Sequence, residues 1–399
     1  MRKPGVLVVH NRYQQLGGED TVVGTEVEVL RRNGHRVTEF VRDNSEIRGY
    51  NAVQRASLAV CTTWNHRAYH QLRELIRRER PMIAHCHNLV PLISPSAYYA
   101  CRDEDVPVVQ TLHNYRLRCP AGTMFRDGAA CPGCCNSLAL AVLRGCYRNS
   151  RVQTAAAAMM LATHRRLGTY YSLVDAYSTP SAFCAEQMAA SGLPREKIVV
   201  RPNFLLRDAG ARQASEDYVL FVGRICEEKG IRQLLGVFRR LGKIPLVVVG
   251  DGPMKAEAER AASANVLFAG ALSAADTTAR VKSARFLVFP SIGFETFGMT
   301  ILEAAACGVA TVGTRLGAIP ELVQEGRTGL LFDPHDAEEF ATKVCWAWEH
   351  PVSMNEMGAA ARQMYLRRMT AEKGYSSLMR LYSSVSEDWD RSVTAGAVA

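Results

Sequence analysis

Short β-rich runs alternate with helix-patterned stretches along most of this chain, and the alternation starts afresh once near its middle. Parallel strands need a crossover long enough to hold a helix, so such a pattern predicts βα units wound into parallel sheets. In the first half the predicted strands cover residues 6–9, 36–41, 82–86, 106–112 and 174–178. A helix fits residues 20–33, with Gly34 as its stop. The second half restarts with strands at 218–222, 245–249, 266–269, 286–289 and 309–312. At 399 residues the chain exceeds what one hydrophobic core usually supports, which favours two α/β domains. The break falls near Arg201-Pro202-Asn203-Phe204, where an X-Pro step leads into a polar stretch ending at Asp217. The expected organisation is a Rossmann-like domain over 1–200, a linker over 201–217 and a second Rossmann-like domain over 218–350. Helices over 351–399 are expected to pack back on the first domain, with residues 393–399 frayed.

The most specific local feature is Phe294-Glu295-Thr296-Phe297-Gly298-Met299-Thr300-Ile301-Leu302-Glu303. It follows a strand directly, and in an α/β domain the loop at a strand's carboxyl end and the first turn of the next helix form the ligand-binding edge. Backbone N–H groups of Phe297, Gly298 and Met299 at a helix start favour a diphosphate. Glu303, two turns along, can accept hydrogen bonds from ribose hydroxyls, and Glu295 can do the same for hydroxyls of a transferred sugar. The bland alternative makes Glu295 a helix-start residue and Glu303 a surface one.

The order of the motifs decides between them, because the chain resembles glycosyltransferase family 4. Glu295 and Glu303 match that family's E(x7)E motif. Val222-Gly223-Arg224, followed by Glu228-Lys229-Gly230, resembles its Arg/Lys pair, which neutralises the donor diphosphate with a planar fork and a point charge. Gly250-Asp251-Gly252-Pro253, Gly317-Ala318-Ile319-Pro320-Glu321 and Gly329-Leu330-Leu331-Phe332 match further elements in the expected order. The resemblance runs over residues 5–350 and is strongest over 218–333. It implies a GT-B fold, two Rossmann-like domains with parallel sheets facing a cleft, and retaining transfer from a nucleotide-diphosphate sugar without a catalytic metal or cofactor. Arg224, Lys229 and backbone donors would then stabilise the departing diphosphate. By the same analogy the nucleotide base sits near residues 270–272, where nothing distinguishes one base from another.

In the first half, Gly17 and Gly18 close the loop after the first strand and open a helix, so they can bring backbone N–H groups to an anion. This loop resembles the family's N-terminal loop, which lies against the donor phosphate and sugar. A tight strand-to-helix turn is the alternative. His113 ends a strand and is followed by Asn114-Tyr115-Arg116. The resemblance assigns it to contacting the transferred sugar or acceptor near the reacting centre, with His85 and His87 as weaker candidates. The expected catalytic set is His113, Arg224, Lys229 and Glu295. The expected donor set is Gly17, Gly18, Gly223, Arg224, Lys229, Phe297, Gly298, Met299 and Glu303.

Cys119, Cys131, Cys134, Cys135 and Cys146 cluster within the twelve cysteines. One C(x2)C with flanking single cysteines is compatible with a tetrahedral structural zinc on Cys119, Cys131, Cys134 and Cys146. Free thiols and redox chemistry are the other readings. The start of the chain and its lack of a bilayer-length apolar run lead to an expectation of a cytoplasmic protein.

The net charge is +9, with 23 Lys/Arg against 14 Asp/Glu in residues 1–180 and 25 against 25 in the remainder. A one-sided basic domain suits a phosphate-bearing, lipid-linked acceptor or an anionic membrane at which the enzyme sits peripherally. A solvated basic face without a partner is the other reading. Arg73, Arg77, Arg78 and Arg80 are candidates for the membrane contact, clustered at a helix end. No helix-turn-helix, zinc-finger or aromatic-interleaved pattern speaks for nucleic acid. The competing functions are a sugar-nucleotide epimerase or phosphorylase of the same fold, and a non-catalytic polysaccharide-assembly binding module.

Overall fold

A computed structural model describes residues 3–14, 17–131, 137–387 and 389. The chain forms two compact units, one of residues 1–123, 132–202 and 371–399, the other of residues 124–131 and 203–370.

The first unit holds six parallel strands: β1 (Lys3–Arg12), β2 (His35–Asp43), β3 (Ile83–Cys86), β4 (Val108–Thr111), β5 (Ala176–Thr179) and β6 (Ile198–Val200). Their order is β2-β1-β3-β4-β5-β6, so the winding reverses at β1. β3, β4 and β5 are buried along their whole lengths, as expected of parallel strands covered on both faces. Helix α1 (Gly18–Arg32) follows β1 and presents Val22, Val23, Val27, Val29 and Leu30 to the core, a helical spacing. It begins two residues before the predicted start, and Gly34 follows its cap with φ +83°.

The second unit holds β7 (Val219–Val222), β8 (Leu246–Val249), β9 (Val266–Gly270), β10 (Phe286–Phe289), β11 (Thr311–Thr314) and β12 (Gly329–Phe332), all parallel. Their order, β9-β8-β7-β10-β11-β12, is the doubly wound arrangement, with the reversal between β7 and β10. Helix α2 (Met299–Ala306) follows the loop after β10, and its Ile301, Leu302, Ala304 and Ala305 join the core beneath the sheet. A two-stranded antiparallel hairpin, Phe125–Arg126 with Ala129–Ala130, belongs to this unit although it is encoded between β4 and β5.

The expected C-terminal segment divides. The helix Pro351–Arg368 packs on α2, with Gly358 against the Gly308 carbonyl, and lies in the second unit. Helix α3 (Ala371–Ser383) lies in the first unit, where Tyr382 is buried and Tyr375 meets the His35 ring nitrogen at 2.9 Å. Both sixth strands, β6 and β12, were absent from the predicted set. The first is three residues long and the second reads as a glycine-led motif, so neither carries a long β-rich run. Among the described residues no helix is long and apolar enough to cross a membrane.

Candidate functional site

In the second unit the chemistry-bearing side chains sit at the carboxyl ends of β7 and β10, where the sheet order reverses. β7 ends at Val222, and the Gly223 N–H donates to the Val249 carbonyl at 3.0 Å. Gly250, at φ +140°, meets the Gly223 carbonyl so closely that any Cβ there would overlap it. The turn Glu227–Lys229 ends at Gly230, at φ +72°, where a Cβ would run into the Pro290 carbonyl. Glycine is therefore required at both positions by left-handed backbone and by space. The Glu228 carbonyl also accepts from the N–H groups of Ile292 and Gly293, at 2.9 and 3.1 Å, which ties the loop after β7 to the loop after β10.

These ties place Lys229 Nζ 2.6 Å from Glu295 Oε1, which Ser291 Oγ also approaches at 2.6 Å. Burial opposes the Lys229 ammonium, but the Glu295 carboxylate outweighs it and holds the pKa above its ordinary value. Lys229 is thus a charged donor at neutral pH. Arg224 keeps about half its side chain in solvent and pairs with Glu228.

Gly298 caps α2 at φ +114°. The backbone N–H groups of Phe297, Gly298 and Met299 donate to none of the described residues, leaving the start of the helix as a set of outward donors. The Phe297 ring itself is buried in the core and anchors the turn, while Met299 packs against the same core. Glu303 is half-buried, and its carboxyl makes no hydrogen bond or ion pair with the described residues. Burial raises its pKa to about 7. Structure thus brings Gly223, Arg224, Lys229, Glu295, Gly298 and Glu303 to one edge of one sheet.

In the first unit the corresponding edge gathers histidines. His10 lies in β1 two residues before its end, His85 is the penultimate residue of β3, His87 follows β3, and His113 follows β4. His87 Nδ1 lies 2.9 Å from His113 Nε2, and His10 Nε2 lies 3.0 Å from Asp20 Oδ1 on α1. Burial pushes His87 and His113 well below the ordinary imidazole range, and His85 down to about 4. Behind them α1 presents Glu26, paired with Arg201.

A cavity of about 50 Å³ reaches His87 and His113 and is also lined by Glu19, Asn114, Arg116 and Tyr170. Asn114 donates to Glu19 at 3.2 Å, and burial lifts the Glu19 pKa to about 8. Sequence reasoning missed Glu19, Glu26 and Arg201. Glu26 and Arg201 stand 175 positions apart and meet only through the sheet, whereas Glu19 follows the glycine pair and was open to suspicion.

Several expected roles change in detail. The Gly17 N–H is engaged internally by Asp20 Oδ2 at 3.1 Å, and Gly17 has extended backbone at φ −129°. The two-glycine loop therefore offers fewer free N–H groups than the pattern suggested, because the helix supplies its own acidic cap. In the arginine cluster, Arg73 and Arg77 both pair with Glu104, at 2.6 and 2.8 Å, and Arg78 pairs with Glu79. Cys134 lies outside the described residues, while Cys119, Cys131 and Cys146 are in no disulfide, the first buried and the others half-buried. Among the described residues, the one group of three potential metal-ligating side chains is Glu26, His85 and His87.

The profile described as "Glycosyltransferase Family 4" matches residues 16–205, and that described as "Glycosyl transferases group 1" matches residues 216–350. The chain is 34% identical over 149 residues to the sulfoquinovosyl transferase of Arabidopsis thaliana, covering 36% of this chain and 29% of that protein. It is 34% identical over 160 residues to a D-rhamnosyltransferase of Pseudomonas aeruginosa, covering 39% of this chain and 42% of that protein. The chain thus matches less than half the length of these relatives. Among solved structures, Anabaena HepE in complex with UDP superposes with a TM-score of 0.69 at 14% identity, covering 96% of this chain and all of that one. The sucrose-phosphate synthase of Thermosynechococcus elongatus superposes with a TM-score of 0.70 at 15% identity, covering 95% and 98%. These likenesses establish the fold as two Rossmann-like units of GT-B type. With one profile over each unit, this chain belongs to the group 1 glycosyltransferases of glycosyltransferase family 4.

Proposed function

We propose that the protein is a retaining glycosyltransferase that moves a sugar from a nucleotide-diphosphate donor to a hydroxyl of a saccharide or lipid-linked acceptor, in polysaccharide or glycoconjugate biosynthesis. The observation that carries this reading is the Lys229–Glu295 pair beside the start of α2, which has no side-chain cap. Lys229 and Arg224 supply positive charge and the α2 N–H groups supply oriented donors, so negative charge growing on a departing diphosphate is stabilised without reorganisation. Their presence offers a metal-free route for the leaving group, consistent with no catalytic cofactor. Glu303 takes the ribose hydroxyls and Glu295 the hydroxyls of the transferred sugar. No side chain is assigned as a covalent nucleophile, and same-face attack assisted by the leaving phosphate accounts for retention.

His113, on the first unit, contacts the sugar or acceptor near the reacting centre. The basic excess of residues 1–180 supports an acceptor carrying phosphate, such as a lipid-linked saccharide reached from the cytoplasmic face of a membrane. Anabaena HepE was solved with UDP and with UDP-glucose, which makes uridine diphosphate sugars the first donors to test.

The test is a panel of UDP-, GDP- and ADP-sugars, scored for hydrolysis and for transfer, with the product anomer read by NMR. One donor class is expected to be turned over with retained configuration, in the presence of excess chelator. Conversion of a donor without an acceptor into its epimer would favour the epimerase reading. No turnover of any donor by folded protein would favour a binding module, and an immediate loss of rate restored by magnesium would count against the metal-free route.

A further inference from the structure

The hairpin of residues 125–130 is encoded between β4 and β5 of the first unit, yet residues 124–131 belong to the second. Two residues per strand cannot hold a hairpin together in water, so its shape depends on what it docks against. Its turn is Asp127-Gly128, with left-handed backbone at both positions, φ +50° and +75°, the two-residue turn whose twist suits antiparallel strands. Met124 is buried, and its carbonyl accepts from the Cys131 N–H at 2.6 Å, which closes the base. Phe125 pairs with Ala130 across the hairpin and is half-buried.

The docking place is the pair of loops that hold Lys229 and Glu295. A Cβ built on Gly293 would stand 3.5 Å from Phe125 Cδ2 and 3.3 Å from Glu228 Cβ, and one on Gly128 would stand 3.6 Å from Glu227 Oε1. Gly293 has no left-handed backbone to account for its glycine. A larger side chain there would run into the Phe125 ring, so glycine at 293 is what lets the hairpin seat. Gly293 stands two positions before Glu295, and Glu228 directly precedes Lys229. Lys229, Glu295 and the N–H groups at the start of α2 offer charge and hydrogen bonds, whereas a sugar ring also presents a face of C–H groups. A half-buried aromatic ring on a docked hairpin covers such a face with rigid apolar area.

We infer that the hairpin is a wall of the donor site and that Phe125 is a specificity-determining residue, its ring packing on the C–H face of the transferred sugar. This rests on the reading of the β7 and β10 edge as the donor site. It also gives the excursion of residues 124–131 into the second unit a purpose, since it brings an aromatic side chain to loops made mostly of polar groups and glycine.

The test is calorimetric binding of UDP-glucose, UDP-N-acetylglucosamine and GDP-mannose to full-length protein, each against its free nucleotide. For the sugar nucleotide that binds, Phe125→Ala should weaken binding about 10-fold while the free nucleotide changes by less than about 2-fold. Phe125→Tyr, which keeps the ring, should stay within about 2-fold of the wild type for both. Gly128→Val, which cannot hold φ +75° without strain, should reproduce the selective loss by displacing the hairpin. If Gly128→Val does not fold, Phe125→Ala alone decides. A loss shared equally by nucleotide and sugar nucleotide would make Phe125 a structural residue and overturn the inference, as would unchanged binding of both. A nucleotide bound without any of its sugar forms would leave no sugar pocket beside Phe125 and overturn it too. Wild-type protein that binds no nucleotide refutes the donor reading itself and the inference with it.

Discussion

Replacing Glu303 with Gln should stabilise the second unit while weakening its hold on donor. The Glu303 carboxyl is half-buried without a partner, and burial alone raises its pKa from 4.5 to about 7. Between those values the folded chain holds a proton that the unfolded chain has lost, so stability falls as pH rises through this window and the penalty is complete above it. A displacement of that size corresponds to about 3 kcal/mol, reduced toward about 2 kcal/mol by the exposure the carboxyl retains. Gln preserves the shape and removes the charge. At pH 8.5, without donor, Glu303→Gln should therefore melt about 4–12 °C higher, given about 2–4 °C per kcal/mol for a domain of this size. At pH 5 the folded carboxyl is protonated, and most of the difference should be gone. Scanning calorimetry at the two pH values measures it. A variant that melts lower at pH 8.5, or one whose gain is the same at both pH values, would refute the argument that an unpaired buried charge is held there. Donor affinity gives the complementary readout: it should improve from pH 6 to pH 8 in the wild type as the carboxylate forms, and lose that dependence in the variant.

Arg224→Ala and Lys229→Ala should each slow transfer by about 100-fold or more, because the lost charge acts on the leaving group in the transition state; near-normal rates in both would remove the diphosphate assignment. For the cysteine segment, protein purified without added metal should contain up to one zinc per chain, lost in a Cys131→Ser/Cys134→Ser double variant, and an elemental analysis near zero would leave free thiols as the reading. Sedimentation with phosphatidylglycerol vesicles should show binding that weakens with salt. Because Arg73 and Arg77 already share Glu104, a Glu104→Gln variant should bind such vesicles more tightly. Binding that is absent or insensitive to salt would favour a soluble acceptor.

The fold was largely legible because its central strands are buried on both faces, so that Leu246–Val249 and Phe286–Phe289 read as unbroken apolar runs. The edge proposed for the donor was legible for a related reason. Lys229, Gly230, Glu295 and Gly298 lie in two short loops, and backbone geometry forces glycine at set positions within them. What stayed hidden was which partners those groups take. Sequence placed Glu295 on a sugar and Lys229 on a phosphate, and only the folded loops bring the two within 2.6 Å of each other.

The first unit shows the limit more sharply. By itself the sequence determined that His87 and His113 each follow a strand of one sheet, because apolar runs and their turns are local. Their pairing, the Glu26 carboxylate behind them and the Arg201 that pairs with it come from β1, α1, β3, β4 and β6 converging. The return of α3, which sets Tyr382 against His85, is likewise a matter of packing across 297 positions. Local sequence fixes which side chains end a strand, since that depends on residues a few positions apart. Which of those ends share a charge depends on strand order and burial, and these exist only once the sheet has closed.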